Sequence, residues 1–283
     1  MILLDLNQTA IAALMIQINS NPKMKIEEDL VRHIILNSLR SYNKQFKSKY
    51  GELVICCDSK RYWRKEIFPF YKAHRKADRA KSNFDWNLIF ETLNKIRDEL
   101  KGHSPYRVIN VEGAEADDVI ATLAAKYSAT EEILILSSDK DFLQLQKYKG
   151  VKQYSPLLKR FIKTDDPVAF AKEHIIRGDR GDGIPNFLSG DNVFVIGEKQ
   201  KSINSKKLVE WLKDAPEVFC TTDTMLRGFK RNQQLVDLDF IPATLRTSIE
   251  EAYSTATRGS KKDLLNYMIE KRMRSLIEVI DEF

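Results

Sequence analysis

Apolar residues follow two rhythms along the first half of the chain. Short runs, Ile2–Leu6 around Asp5, Leu53–Cys57, Ile133–Leu136 and the mixed Tyr106–Val111 with Arg107 and Asn110, alternate with stretches in which they recur at helical spacing. Continuous runs bounded by polar residues mark strands buried on both faces. Residues 26–46 carry Leu30, Ile34, Leu36, Leu39 and Tyr42 toward one side, and 86–100 and 119–127 repeat that spacing. Asn83 or Asp85 suits the N-cap of the second of these helices. Val151–Tyr154 and Phe161–Lys163 read as two further short strands, an edge pair. Strands alternating with helices predict an α/β fold with a central, mostly parallel sheet covered on both faces. After about Asp166 the strand signals fade. Pro167–Ile176, Ser205–Leu212, Pro242–Tyr253 and Lys261 to the end read as helices, with both prolines at first-turn positions. Residues 183–200, rich in Gly, Asn, Pro and Ser, read as irregular. The expected organisation is an α/β domain over 1–166 and a smaller helical domain over 167–283.

The acids add chemistry to this pattern. Asp5 and Asp58 each follow an apolar run. Glu115-Ala116-Asp117-Asp118 opens a helix, Asp139 and Asp141 follow the fourth run, and Asp179 and Asp182 lie in Gly178-Asp179-Arg180-Gly181-Asp182-Gly183. A lone Asp after a strand is often a cap, and the helix dipole favours one acid in a first turn. Neither explains the repetition. In a doubly wound sheet the C-terminal strand ends share one edge, so these side chains can converge. Crowded carboxylates repel and raise one another's pKa, which a cation relieves. No His or Cys accompanies them, and an all-oxygen set selects magnesium, with manganese as a substitute. A pair of such ions can cleave a phosphodiester.

Charge points the same way. Over 283 residues the net charge is +6, with 43% hydrophobic and 30% charged residues, so the chain reads as globular with a bias toward polyanions. The excess is concentrated. Residues 59–82 hold nine Lys or Arg against Glu66 and Asp78, with Tyr62, Trp63, Phe68, Phe70 and Tyr71 interleaved. Cations neutralise phosphates and rings stack on unpaired bases; a solvated loop anchored by a few rings would carry the same charge run. The segment leaves Asp58, so it can deliver a phosphate backbone to the acids, with Lys72 or Arg75 stabilising transition-state charge. Cys56, Cys57 and Cys220 suit neither a disulfide framework nor a zinc site, which points to a reducing cytoplasm. No apolar run reaches the about 18 residues of a membrane span, and the N-terminus lacks signal-peptide features.

Glu115 to Val119, Ser138-Asp139-Lys140-Asp141-Phe142, Gly178 to Asp182, and Arg64 through Tyr71-Lys72-Ala73-His74-Arg75 resemble, in order and spacing, the motifs of the 5′-nuclease superfamily. That family includes flap endonucleases and the 5′-nuclease domains of bacterial polymerases. Val31 to Ser38, Tyr62-Trp63-Arg64 and Asp281-Glu282-Phe283 extend the likeness to its phage branch over nearly the whole chain. The resemblance implies a PIN-like fold and a magnesium-dependent 5′ to 3′ exonuclease and 5′-flap endonuclease acting on RNA–DNA and DNA duplexes. It implies removal of RNA primers during phage lagging-strand replication by a two-metal mechanism. Asp5, Asp58, Glu115, Asp117 and Asp118 would surround the first ion. Asp139, Asp141, Asp179 and Asp182 would serve the second, partly through waters. Arg64, Lys72 and Arg75 would be catalytic groups of a helical arch at about 59–84, Tyr71 would stack on a base, and Arg61, Lys76, Arg79 and Lys81 would contact the strand. Implied partners are 5′-flap or RNA-primed DNA, a sliding clamp and a single-strand DNA-binding protein. The protein would be a monomer, in the host cytoplasm if phage-encoded.

One stretch departs from the family. Its last acidic motif is normally followed by a potassium-binding helix-hairpin-helix of the Gly-Val-x-Gly-Ile-Gly type. Here Gly183-Ile184-Pro185-Asn186 begins that pattern and loses it, and only Ile196-Gly197 echoes it. Two other readings compete. Asp5-Leu6-Asn7-Gln8-Thr9 resembles the nucleophile motif of haloacid-dehalogenase phosphatases, with Asp5 attacking phosphorus, but that leaves 59–82 and Glu115 to Asp118 unexplained. A non-catalytic single-strand-binding protein leaves the acids unexplained.

Overall fold

The computed structural model describes residues 1–21, 25–82 and 84–283. In chain order the elements are β1 (Ile2–Asp5), α1 (Leu6–Ser20), α2 (Glu28–Tyr50), β2 (Leu53–Cys56), α3 (Trp63–Ile67), α4 (Arg75–Ala80), α5 (Trp86–His103), β3 (Arg107–Ile109), α6 (Ala116–Tyr127) and β4 (Ile133–Leu136). A 3-10 helix (Lys140–Lys147), β5 (Val151–Ser155), β6 (Arg160–Ile162), α7 (Pro167–Arg177), α8 (Ser205–Lys213), α9 (Pro216–Phe219), α10 (Asp223–Val236), α11 (Ala243–Thr255), α12 (Lys261–Glu270), α13 (Arg274–Ile277) and a 3-10 turn (Ile280–Glu282) follow. They form two compact units, one of residues 1–60, 85–163 and 244–283, the other of 61–84 and 164–243.

The first unit is built on a six-stranded sheet in the order β3-β2-β1-β4-β5-β6. Every pairing is parallel except β5 with β6, which is the expected antiparallel edge pair. β1, β2 and β4 are buried at every position, as continuous apolar runs require. The sheet grows from β1 in one direction through β2 and β3 and in the other through β4 and β5. The switch of direction therefore lies between β1 and β4, and sheets of this kind bind ligands outside the carboxyl ends of the strands at that point.

Asp85 caps α5, its side chain accepting from Leu88 N; Asn83 lies outside the described residues. Helix α1 has no counterpart among the expected elements. Its run Ile11-Ala12-Ala13-Leu14-Met15-Ile16 is apolar on all sides, so no stripe announces a helix. Asp5 closes β1 and caps α1 at once, leaving no loop to mark the change. The chain's end also differs from the single helix expected after Lys261. It breaks at Arg272, whose φ of 57° is left-handed, and continues as α13 and a 3-10 turn.

Residues 244–283 do not join the helical part of the chain but pack on the first unit. Leu264, Tyr267 and Met268 of α12 are buried. Arg32 of α2, fully buried, donates to Tyr267 Oη at 2.9 Å and to Glu99 Oε2 of α5 at 3.0 Å. Tyr267 in turn donates to Glu99 at 2.7 Å. A buried guanidinium needs such partners, and they tie α2, α5 and α12 together.

The second unit packs Phe68, Tyr71, Ile175, Ile176, Phe187 and Phe229 into a core of its own. Between α7 and α8 residues 178–204 contain no helix, so no helix-hairpin-helix forms there. Helix α10 is also absent from the expected set. Gly228, at its middle, argues against a helix from sequence. The structure explains the glycine: a Cβ there would lie 2.1 Å from Phe187 O. We expect Gly228→Ala to lower unfolding stability by about 1–3 kcal/mol through overpacking, despite alanine's better helix propensity. Denaturant titration checks this, and a gain in stability would contradict the close approach.

Candidate active site

Four acids of the first unit meet at the C-terminal edge of the sheet. Asp5 ends β1, Asp58 follows β2, Glu115 caps α6 after β3, and Asp139 caps the 3-10 helix after β4. Asp5 is buried, its Oδ1 accepting from Gln8 N at 3.0 Å and its Oδ2 from Ser137 Oγ at 3.2 Å, across the switch point from β4. Burial, with Asp58 and Asp139 facing it, raises the Asp5 carboxyl from 3.8 to about 7. Two backbone or hydroxyl donors do not offset that penalty. The cap reading of Asp5 is therefore correct for Oδ1, while burial and the two neighbouring acids leave the same carboxyl crowded.

The surrounding groups fix these carboxylates. Asn7 Nδ2 donates to Asp58 Oδ2 and Ala116 N to Asp58 Oδ1, both at 2.8 Å. Asn110 Nδ2 holds Asp58 O at 2.8 Å. Ser137 Oγ accepts from Asp139 N at 3.1 Å, and Gln153 Nε2 donates to Ser137 O and Asp139 O at 2.9 and 2.6 Å. Asp141 N donates to Asp139 Oδ1 at 3.0 Å. Sequence reading passed over Asn7, Asn110, Ser137 and Gln153, whose signal is only that each is polar beside an apolar run. Of the acids in the opening motif, Glu115 and Asp118 form a capping box, with Glu115 N donating to Asp118 Oδ2 at 2.9 Å. Asp118 is fully buried, while Asp117 and Asp141 are partly exposed. The capping box is a structural reason for Asp118 that sequence reading missed.

The second unit carries Asp179 and Asp182. Asp179 Oδ2 lies 3.0 Å from His174 Nε2. Asp182 receives Tyr71 Oη at 2.7 Å and Arg75 Nη2 at 2.5 Å, with Lys72 Nζ at 3.6 Å. Two expectations for the basic segment fail here. Tyr71 is 2% exposed and belongs to the unit's core, so it is not placed to stack on a base. Arg64, also 2% exposed, donates its Nε–H to Leu235 O at 3.0 Å and covers the Trp63 ring. That is a structural placement, unlike the catalytic role expected for it. The apolar cover for both comes from α7 and α10, which sequence spacing did not connect to this segment. Arg61, Lys76, Arg79 and Lys81 are exposed, and Arg75 is partly so. The segment expected to form an arch carries two short helices, α3 and α4, with Lys72 between them at a left-handed φ of 56°.

A parallel sheet with carboxylates gathered at its switch point defines a resolvase-like nuclease domain. The chain belongs to the 5′-3′ exonuclease family: residues 3–175 match its N-terminal resolvase-like domain, and residues 170–283 match the C-terminal domain of T4 RNase H. It is 33% identical to Ribonuclease H of Enterobacteria phage T4 over 291 aligned positions, covering 99% of this chain and 95% of that one. A 5′-3′ exonuclease of Streptomyces coelicolor is 32% identical over 47% of this chain and 50% of its own length. The fold matches a phage T5 flap endonuclease solved with DNA and metal ions, with a TM-score of 0.64 at 18% identity, covering 89% of this chain and 96% of that one. Membership of a nuclease family removes the phosphatase alternative with Asp5 as nucleophile. Among the described residues, no helix is long and apolar enough to cross a membrane.

Proposed function

We propose that the protein is a magnesium-dependent 5′ to 3′ exonuclease and 5′-flap endonuclease that removes RNA primers during phage lagging-strand replication. The carrying observation is the gathering of Asp5, Asp58 and Asp139 at one edge of the sheet, close enough that burial and both neighbours raise the Asp5 carboxyl, in a chain 33% identical to a ribonuclease H. Such crowding of buried oxygens fits a hard divalent cation and is unfavourable without one. Asp5, Asp58, Glu115, Asp117, Asp139 and Asp141 would hold it, and Asp118 would frame Glu115. Manganese would substitute for magnesium on the same oxygens. Bound ions supply an activated water and charge neutralisation at the scissile phosphate.

The chain's own residues do the rest. Gln8, Asn7, Ser137 and the Ala116 amide orient the carboxylates before any ion arrives. The exposed cations of 61–81 attract the backbone without reading sequence, which suits an enzyme acting on any 5′ end. The T4 relative, named a ribonuclease H, supports RNA-primed DNA as substrate. In that role the protein would act as a monomer in the host cytoplasm, beside a sliding clamp and a single-strand DNA-binding protein.

Product analysis on 5′-labelled flap and RNA-primed duplexes tests this. Short 5′ products should form with magnesium and vanish with chelator. Binding without cleavage under both conditions would refute it and leave the single-strand-binding reading.

A further inference from the structure

We propose that Asp182 is a positioning residue, the anchor of a latch that sets Lys72 and Arg75, and not a metal ligand. Both its carboxylate oxygens are taken. Tyr71 Oη donates to Oδ2 at 2.7 Å and Arg75 Nη2 to Oδ1 at 2.5 Å, while Lys72 Nζ lies 3.6 Å from Oδ2. Its backbone joins in: Lys72 N donates to Asp182 O at 2.7 Å, and Arg75 Nε to Gly181 O at 2.9 Å. A carboxylate already neutralised by two cations and a phenol has little to offer a divalent ion, which would have to displace them.

The geometry also says which side holds which. The turn carrying Asp182 is fixed from behind. Ile184 N donates to Asp179 O at 2.7 Å. A Cβ on Gly178 would lie 2.4 Å from Ile184 O and 2.5 Å from Pro185 O, so the turn closes tightly on itself. Asn232 of α10, fully buried, donates to Ile175 O and Pro185 O at 2.8 Å each. Arg231 donates to Pro185 O at 2.8 Å. Residues 70–75 lean on this fixed turn: a Cβ on Gly183 would sit 3.0 Å from Phe70 O and 3.1 Å from His74 Nδ1. Lys72, left-handed at φ 56°, keeps that conformation through its bond to Asp182 O. The last acidic motif thus clasps the basic segment and presets the direction of its cations.

The consequence for cleavage, that Lys72 and Arg75 arrive in register with phosphate, rests on the proposed function; the latch itself does not. A nitroxide at Lys76→Cys, in a Cys220→Ser background because Cys56 and Cys57 are buried, reports the segment in metal-free, DNA-free protein. The parent should show an immobilised spectrum. Asp182→Asn and Arg75→Gln should each lose that component, and Arg75→Gln, at a partly exposed position, serves if Asp182→Asn does not fold. Unchanged spectra in folded variants overturn the latch. Manganese counting by the same spectroscopy separates the roles: Asp182→Asn should bind as many ions as the parent, and losing one assigns Asp182 to metal. In single-turnover cleavage, the Asp182→Asn/Arg75→Gln double variant should be no slower than the slower single variant. Additive losses would overturn the shared role. Failure of the parent to cleave with magnesium would sink the proposed function and leave the spectral test standing.

Discussion

Asp139→Asn should slow single-turnover cleavage of a 5′ flap by about a thousandfold or more, the scale of losing a central electrostatic group from a catalytic site. The fold should survive, because the cap Asp139 makes on the 3-10 helix needs only an oxygen. Asp139 Oδ1 accepts from Asp141 N at 3.0 Å to cap the 3-10 helix, and an asparagine carbonyl does the same. What the variant loses is charge. Asp139 is one of two acids whose field raises Asp5, so the change removes a proposed ligand and relaxes the crowding around Asp5. Affinity for the flap in chelator should stay within about threefold, since phosphate contacts come from cations and not from these acids. Rapid-quench cleavage and filter binding on one preparation check both halves. Activity within about tenfold of the parent would remove Asp139 from the site.

The centre of the sheet was legible because β1, β2 and β4 are buried at every position and read as apolar runs. Asp5, Asp58 and Asp139 could be read as one site because parallel strands bring their carboxyl ends to the same edge. Sequence pattern failed where local signals were weak or misleading. Helix α1 is apolar all round, and α10 carries a glycine that local propensity disfavours and a distant backbone requires. The family resemblance makes Arg64 catalytic and Tyr71 a base-stacking ring, yet both are buried. Their burial is set by α7 and α10, more than a hundred residues away in the chain, and no local pattern reports that. Asp118 shows the reverse case. Its spacing from Glu115 is that of a capping box, so the signal was present in the motif but was outweighed by the interest of three acids together.

The raised Asp5 carboxyl should make stability depend on pH in a direction opposite to that of an ordinary salt-bridged acid, and a bound metal should offset it. The Asp5 carboxyl stands at about 7 in the fold against 3.8 ordinarily. Below about pH 4 it is protonated in both folded and unfolded chains and costs nothing. Between about pH 4 and pH 7 the unfolded chain releases this proton while the fold still holds it, so this contribution to stability falls as pH rises. Above pH 7 the full penalty applies, a few kcal/mol at about 1.4 kcal/mol per pK unit. Asp5→Asn removes the charge, and its amide carbonyl can still accept from Gln8 N. At pH 8 in chelator the variant should therefore melt several degrees above the parent, and near pH 4 the two should converge. Magnesium should reverse the order: it binds only the folded site, so it should raise the parent's melting temperature at pH 8 and leave the variant's nearly unchanged. Calorimetry at both pH values, with and without metal, reads all four corners. If the variant is the less stable protein at pH 8 in chelator, Asp5 is held by its hydrogen bonds as an ordinary cap, and the crowding that supports a cation at this edge of the sheet is not there.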